Sequence, residues 1–471
     1  MDVDALLLAR IQFAFTVAFH IIFPSFTIGL AAFIATLLVR WRLTGQDHLY
    51  RLARFWTKIF AVSFAMGVVS GIVLSYQFGT NWSEFSVRVG NVIGPLIGYE
   101  VLTAFFLEAT FLGILLFGWN RVHPNMHVLA AILVAIGTSL SAFWILSANS
   151  WMHTPAGHVV VDGIASPVDW WAVIFNPSFP YRFAHMFTAA YLTTSLVVLA
   201  VGCRYLVAGR FQEEAKTMMR MGLGMVAVLA PLQLVIGDAH GLNTLEHQPA
   251  KVAAMEAHWD GSKPGALVLF AIPNVAEERN DYEISIPGGA SLILRHDPEG
   301  LFPGLKDFKP EDRPPVWPVF FAFRVMVGLG LLMIGIGAVG AVLWASGRLF
   351  TTRWFAVPVQ HTWPMGFIAI LAGWWVTETG RQPWVAHGIL RTADAASPVA
   401  FEAVAISLTL FVIVYTVVFS MGVYYINRLI EKGPQPSVVH GDERDKGVAG
   451  VAARPMSGAT GAARAATEGS A

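Results

Sequence analysis

Long apolar segments constrain this chain more strongly than any other feature of its sequence. A helix needs about 20 mostly apolar residues to cross a bilayer. Nine segments meet this requirement, at roughly 10–39, 55–78, 94–118, 127–150, 182–207, 217–238, 317–345, 361–380 and 400–427. Charged residues make up only 13% of the sequence, whereas soluble domains carry about 25%. The sequence therefore predicts an all-α integral membrane protein with nine transmembrane helices.

The basic residues between these segments predict the orientation of the chain. They cluster in the first, fifth and seventh connections, at Arg40, Arg42, Arg51, Arg54, Lys58, Arg204, Arg210, Lys216, Arg220, Arg348 and Arg353. Connections rich in Lys and Arg stay in the cytoplasm. We therefore expect the N-terminus outside and the C-terminus in the cytoplasm. The N-terminus lacks a basic region and a small-residue cleavage site, so we interpret it as part of a retained span.

The spans divide the chain into four parts. Residues 1–238 hold helices one to six, 239–316 form a polar external segment, and 317–432 hold helices seven to nine. The tail, 433–471, is rich in Gly, Ala, Ser and Arg, which predicts a disordered cytoplasmic segment. Zero net charge argues against a nucleic-acid partner. The single cysteine, Cys203, excludes an internal disulfide or a cysteine-type zinc site.

The run GWWVTETGRQPW places charges at the end of a strongly apolar segment. Trp374, Glu378 and Arg381 are four and three residues apart, so they share one face of a helix. An aromatic ring, an anion and a cation on one face could hold a flat, partly charged cofactor. The alternative is an interfacial tryptophan belt with an ion pair that reaches out to water.

Two histidines and a methionine in the spans are candidate haem ligands. His20 precedes Pro24, which cannot donate to the carbonyl of residue 20 and predicts a kink. His185 and Met326 both fall in the outer half of the predicted bilayer, and Met with His is a known axial pair. The alternatives are a hydrogen bond from His20 to a neighbouring helix and simple packing for Met326. Arg324, two residues from Met326, points away from it on a regular helix.

Four other charged residues are candidates for proton chemistry. Glu100 and Glu108 lie in one span, about 80° apart around a regular helix and about 12 Å apart along it. Acids in a span indicate a proton relay or a cofactor contact, and the alternative is hydrogen bonding between helices by neutral acids. Lys251 and Glu256 lie on a short amphipathic stretch of the external segment. They could bind and deprotonate a quinol, or form an ordinary solvated helix face.

Taken together, these segments resemble subunit I of the cytochrome bd family of quinol oxidases, from residue 1 to about 430. The match rests on LARIQFAFTVAFH, KIFAVSFAMGVVSG, QFGTNW, FFLEATFLG, SAFWILSANSWM, RFAHMF, GDAHG, FAFRVMVG and GWWVTETGRQPW, in that order. The resemblance implies a bacterial cytoplasmic-membrane enzyme that oxidises ubiquinol or menaquinol at the outer face and reduces O2 to water. It implies a second oxidase subunit and allows a small single-span accessory subunit.

The resemblance also implies the cofactors: two haem b and a haem d, or a third haem b. It makes His185 and Met326 the iron ligands of the low-spin haem b, with Arg324 supporting that haem. It makes His20 the ligand at the O2 site and Glu378 the ligand of the other high-spin haem.

Four residues match the family's proton-handling positions. Lys251 and Glu256 correspond to residues of quinol oxidation, and Glu100 and Glu108 to acids of the proton path and haem pocket. Protons would leave outside and be taken up from inside, so charge is separated without pumping.

One departure concerns the external segment, which at about 75 residues is short. This resembles the short-loop branch, similar to cyanide-insensitive oxidases, and leaves haem d or haem b open at the O2 site.

Two other functions remain compatible with the residues. A di-haem quinol dehydrogenase anchor would lack O2 chemistry and would usually need four paired histidines. A proton-coupled transporter could use Glu100, Glu108, Glu378 and Arg381 without any haem.

Overall fold

The fold, taken from a computed structural model, is described for residues 3–297 and 299–435. Its helices are α1 (Val3–Thr44), α2 (Asp47–Thr80), α3 (Ser83–Glu100), α4 (Phe106–Phe117), α5 (Pro124–His153), α6 (Trp170–Ile174), α7 (Phe179–Val207), α8 (Gln212–His247), α9 (Pro249–Glu256), α10 (Gly289–Arg295), α11 (Val316–Ala345), α12 (Arg353–Val359), α13 (Met365–Thr379) and α14 (Phe401–Lys432). A five-residue π-helical segment, Val101–Phe105, joins α3 to α4. Short 3-10 turns lie at Leu305–Asp307, Pro310–Asp312 and Thr392–Asp394.

The strands form antiparallel two-stranded hairpins in the connections. They are β1 (His158–Val161) with β2 (Ile164–Pro167), β3 (Leu267–Asn274) with β4 (Arg279–Ile286), and β5 (Trp384–Ala386) with β6 (Leu390–Arg391). The β3–β4 pair contains register irregularities between Val268 and Phe270 and between Phe270 and Ile272. The structure is therefore predominantly helical, as predicted, with small hairpins outside the long helices.

Eight helices in the described part of the chain are long and apolar enough to cross a membrane. They are α1, α2, the continuous α3–α4 unit, α5, α7, α8, α11 and α14. The ninth predicted span, 361–380, is not a helix of that length. Its helical part is α13, whose 15 residues extend about 22 Å, short of the roughly 30 Å hydrocarbon core. The ninth span and the orientation of the termini remain predictions.

The helices extend beyond the predicted apolar segments. The clearest case is α8, which continues to His247, past the boundary predicted at residue 238. Hydropathy shows only which part of a helix is apolar enough for lipid. The helix itself can continue into polar sequence, because its backbone hydrogen bonds do not depend on the side chains. The segment predicted at 239–316 therefore begins as part of α8. The predicted tail lies outside the described residues from position 436 onward.

Helices α1 and α7 are the most enclosed of the eight long helices. The most apolar stretch of each is 67% buried, whereas that of α14 is 11% buried. A glycine permits one close approach: a Cβ on Gly29 would lie 2.5 Å from Thr194 Oγ1 of α7. Small residues allow such contacts between membrane helices, whose association depends on packing. The enclosed helices α1 and α7 therefore supply a rigid frame for polar side chains.

Helix α9 is short, and its residues from Lys251 to Glu256 are buried. It begins with Pro249, whose missing N–H costs nothing at the first helical position, and it ends where Ala257 adopts φ of 52°. Its alanines pack with Val319 and Phe320 of α11 in one hydrophobic cluster. This packing turns the polar side chains of α9 into the interior of the protein.

Candidate active site

One large cavity collects the residues that the sequence singled out. Its volume is about 1630 Å³, above the roughly 300–1,000 Å³ of a pocket for one small ligand. The residues predicted from sequence that line it are His20, Glu100, Glu108, His185, Lys251, Glu256, Arg324, Met326, Trp374, Glu378 and Arg381. Residues from α1, α3–α4, α7, α9, α11 and α13 therefore face a common space.

Glu378, in the last turn of α13, forms the centre of a buried polar cluster. Its Oε1 accepts a hydrogen bond from Asn149 Nδ2 at 2.8 Å and lies 3.3 Å from His153 Nε2. Its Oε2 pairs with Arg381, whose side chain is only 5% exposed. An ion pair that reached water would leave the guanidinium exposed, so that alternative is wrong for Glu378 and Arg381.

Cationic groups outnumber carboxylates around this cluster. Arg182, Lys251 and Arg381 all act electrostatically on His153, and Glu378 is the carboxylate that acts on Lys251. Burial, followed by the charges of Arg182 and Arg381, holds the pKa of Lys251 well below its ordinary value, against the opposing effect of Glu378. Arg381 Nε and Nη1 are buried without a hydrogen-bond partner. The cluster is therefore suited to an anionic group that enters the cavity.

Glu256 is also buried, at 2% exposure, and Lys251 is 3% exposed. A solvated face for these two residues is therefore wrong. Glu256 Oε2 forms a 2.8 Å salt bridge with Arg324 Nη2. The same guanidinium donates to the carbonyl oxygens of Met255 and Val268. Arg324 therefore fastens α9 and β3 to α11.

His185 and Met326 line the cavity from α7 and α11. His185 Nδ1 is buried without a hydrogen-bond partner, and the ring of His240 lies 5.5 Å away between centroids. Met326 Sδ lies 2.8 Å from the point where a Cβ on Gly373 would stand. The missing side chain of Gly373 on α13 therefore leaves the space that the Met326 thioether occupies. Arg324 contacts α9 and β3 instead, as expected for a residue two positions from Met326 on a helix.

His20 on α1 contacts Ser70 on α2, with Nδ1 2.9 Å from Ser70 Oγ. The Ser70 hydroxyl also lies 2.9 Å from the Met66 carbonyl oxygen and 3.0 Å from that of Gly67. With Nδ1 engaged in this contact, Nε2 is the nitrogen left to face a ligand, and ligating histidines are commonly oriented by such a contact at the other ring nitrogen. The predicted alternative, a hydrogen bond to a neighbouring helix, is thus observed at Nδ1.

Glu100 and Glu108 are closer in direction than a regular helix allows. The π-helical segment between them takes in about one extra residue per turn, so the eight-residue separation acts like seven. The predicted 80° offset, which assumed a regular α-helix, is therefore wrong, and counting gives about 20°. Glu100 Oε1 accepts from Ser141 at 2.7 Å, and Glu108 packs on Gly137, one turn away on α5.

Some residues of the site were not singled out in the sequence. Asn149, His153, Arg182 and His240 contact or surround the predicted residues. A usable signal did exist, because Asn149 and His153 are four residues apart on one helix face. Arg182 and His185 likewise stand three residues apart at the start of α7.

Comparisons with known proteins show the family to which this chain is related. The family model for cytochrome bd terminal oxidase subunit I matches residues 8–434. The chain is 32% identical to the Escherichia coli K12 cytochrome bd-II ubiquinol oxidase subunit 1, covering 92% of this chain and 97% of that one. It is 35% identical to the Bacillus subtilis 168 cytochrome bd ubiquinol oxidase subunit 1, covering 91% of this chain and 94% of that one.

A solved structure also resembles the fold. The bd oxidase from Geobacillus thermodenitrificans aligns with a TM-score of 0.85 at 31% identity, covering 92% of this chain and 99% of that one. The sequence match and the structural match thus extend over nearly the whole chain. The chain belongs to the cytochrome bd terminal oxidase subunit I family.

Proposed function

We propose that this chain is the haem-binding subunit of a bacterial membrane quinol:O2 oxidoreductase, which works with a second oxidase subunit. Membership of the terminal oxidase family and its ubiquinol oxidase relatives support the reaction class. The observation that carries the proposal is the single cavity that all eleven predicted residues line. Its volume suits several cofactors better than one small ligand.

The residues of the cavity fit haem. His185 and Met326 would hold a low-spin haem b, His20 Nε2 the haem at the O2 site, and Glu378 the remaining high-spin haem b. The unpartnered nitrogens of Arg381 suit the carboxylates that a haem carries. When bound, the haem groups supply one-electron transfer and O2 reduction to water. The O2-site haem is haem d or a third haem b.

Quinol oxidation is assigned to Lys251 and Glu256 on α9. The Glu256 carboxylate can accept a proton from a quinol hydroxyl, and Arg324 holds that carboxylate in place. Lys251 presents an amine to the same cavity. With 239–316 as an external loop, the released protons leave on the outer side. Either ubiquinol or menaquinol is compatible with this chemistry.

Proton supply for water is assigned to Glu108 and Glu100. Both acids share one face and line the cavity, and Glu108 Oε1 is buried without a partner. A carboxylate can pass a proton on, whereas an amide cannot. With the orientation predicted from the basic residues, protons enter from the cytoplasm. Uptake and release on opposite sides then separate charge without a pump.

The absorption spectrum of the purified protein and its O2 consumption with quinol test this function. We expect three haems per chain, quinol-dependent O2 uptake, and loss of the low-spin signal in His185→Ala and in Met326→Leu. Glu256→Gln should lower quinol oxidation about 100-fold, while CO still binds to the reduced protein. Val339→Ala, an exposed position on α11 outside the cavity, is the control.

Other outcomes select the rival functions. A protein without haem would be a transporter, and one with haem and quinol oxidation but no O2 uptake would be a dehydrogenase anchor. A full low-spin spectrum in both His185→Ala and Met326→Leu would overturn the ligand assignment alone.

A further inference from the structure

His153 lies between two cavity residues to which the proposed function gives separate roles, Lys251 and Glu378. It is the last residue of α5 and has no exposed surface. Its Nδ1 lies 3.2 Å from Lys251 Nζ on α9, and its Nε2 lies 3.3 Å from Glu378 Oε1 on α13. The His153 imidazole therefore contacts both Lys251, which is assigned to quinol, and Glu378, which is assigned to a haem.

The contacts determine which ring nitrogen carries the proton. Glu378 already accepts from Asn149 and pairs with Arg381, so its oxygens act as acceptors. His153 Nε2 must then be the N–H that donates to Glu378. Its Nδ1 presents a lone pair, which Lys251 Nζ fills as the donor. Among the described residues this is the hydrogen bond that holds the Lys251 amine.

The backbone keeps the ring in place. Gln248, directly before α9, donates from Nε2 to the His153 carbonyl oxygen at 3.1 Å. A Cβ on Gly380, two residues after Glu378, would lie 2.9 Å from Lys251 Cγ. The lysine stem thus passes close to the end of α13, and the ends of α5, α9 and α13 meet at this imidazole.

We propose that His153 is a positioning residue, which fixes Lys251 and Glu378 relative to each other through the two nitrogens of one ring. The inference rests on the proposed function, which assigns Lys251 to quinol and Glu378 to a haem. Its consequence is that the two contacts can be removed separately. Loss of one should disturb quinol binding, and loss of the other should disturb the high-spin haem.

Two amide substitutions separate the contacts. In His153→Asn the amide oxygen stands near the former Nδ1 and can accept from Lys251, while the contact with Glu378 is lost. In His153→Gln the amide nitrogen stands near the former Nε2 and can donate to Glu378, while the contact with Lys251 is lost. His153→Leu removes both. His158→Gln, five residues further on in β1 and outside the cavity lining, is the matched control.

The readouts are the KM for a short-chain ubiquinol and the absorption spectrum and midpoint potential of the high-spin haem, in the purified enzyme. We expect His153→Gln to raise KM about tenfold with an unchanged spectrum. We expect His153→Asn to shift the spectrum and potential with an unchanged KM, and His153→Leu to show both effects.

Three results would overturn the inference. They are unchanged readouts in all variants, the same change in the Asn and Gln variants, or equal loss of haem from every His153 variant, which would indicate packing alone. The wild-type enzyme in the same experiment separates this failure from failure of the proposed function. If the wild-type enzyme contained no haem or did not oxidise quinol, the proposed function itself would be wrong.

Discussion

Single buried charges and single close contacts decide most of the chemistry at the residue scale. Glu378 accepts from Asn149, His153 and Arg381, which come from two separate segments of the chain. Leaving any of these donors without an acceptor in a low-dielectric interior would lower the stability of the fold. Glu378 therefore supports both the local fold and the proposed haem site, and substitutions can distinguish the two roles.

Glu378→Ala should both lower the yield of assembled protein and remove high-spin haem. Breaking a buried ion pair from one side costs about 3–5 kcal/mol, because Arg381 is left without its partner. Glu378→Gln keeps the volume and part of the hydrogen bonding, so it should fold better but hold less haem. Haem content per polypeptide measures this. Full haem and normal turnover in the Gln variant would make Glu378 only the ion-pair partner of Arg381.

Gly373→Ala should remove the low-spin haem signal with little effect on the rest of the bundle. The new methyl group would stand 2.8 Å from Met326 Sδ, so the thioether must move. Gly335→Ala on α11 is the control, because a Cβ there has no neighbour within 4 Å. The reduced-minus-oxidised spectrum of both variants measures the effect. An identical spectrum in the two would contradict the placement of Met326.

The helix boundary between α3 and α4 determines how two acids are directed at the scale of the element. A π-helical insertion is rare, and it is often found at functional sites. Here it brings Glu100 and Glu108 onto one face, where both meet α5. A regular helix would hold the same residues but would direct one acid away from that shared face.

Insertion of one alanine between Leu102 and Thr103 should therefore impair turnover without removing the acids. One added residue turns Glu100 by about 100° relative to Glu108. We expect quinol-dependent O2 uptake to fall at least tenfold while the haems remain reducible. Leu102→Ala keeps the register and should retain normal turnover, since this side chain is 63% exposed. Normal turnover in the insertion variant would argue against the shared face.

Charged residues are few in the molecule as a whole, and several of them gather in one place. The sequence carries no net charge, yet Arg182, Lys251 and Arg381 are gathered in one buried cluster with Glu378. Such a cluster lowers the stability of the fold unless anionic groups enter it. The outward apolar faces, such as that of α14, suit lipid or the proposed second subunit.

Lys251→Met should weaken the pH dependence of stability. The folded protein holds the pKa of Lys251 well below its ordinary value, chiefly because of burial, so the unfolded chain binds more protons. Stability from this group therefore rises with pH toward about 10.4 and is lower near neutral pH. Apparent melting temperatures between about pH 7 and pH 9 measure the effect. Lys306→Met, a position with a 38% exposed side chain, is the control and should leave the slope unchanged.

The sequence by itself determined the class of fold and most members of the site. Apolar length predicted the eight long helices, because the thickness of the bilayer is encoded in local composition. Charges that lipid would not tolerate predicted a role for Glu100, Glu108, Glu378 and Arg381, and all of them line the cavity. These inferences needed no knowledge of which helices are neighbours.

Tertiary structure decided which of these residues meet and which helices are irregular. Hydropathy could not show that the helix within the ninth segment is only α13. Nor could it show that α9 turns inward, because that depends on its packing against α11. The spacing of His153 from Asn149 could place both on one helix face, but it could not show the role of His153, which depends on Lys251 and Glu378, far away in the chain. A hydrogen bond between distant segments is a property of the folded arrangement, and local sequence does not specify it.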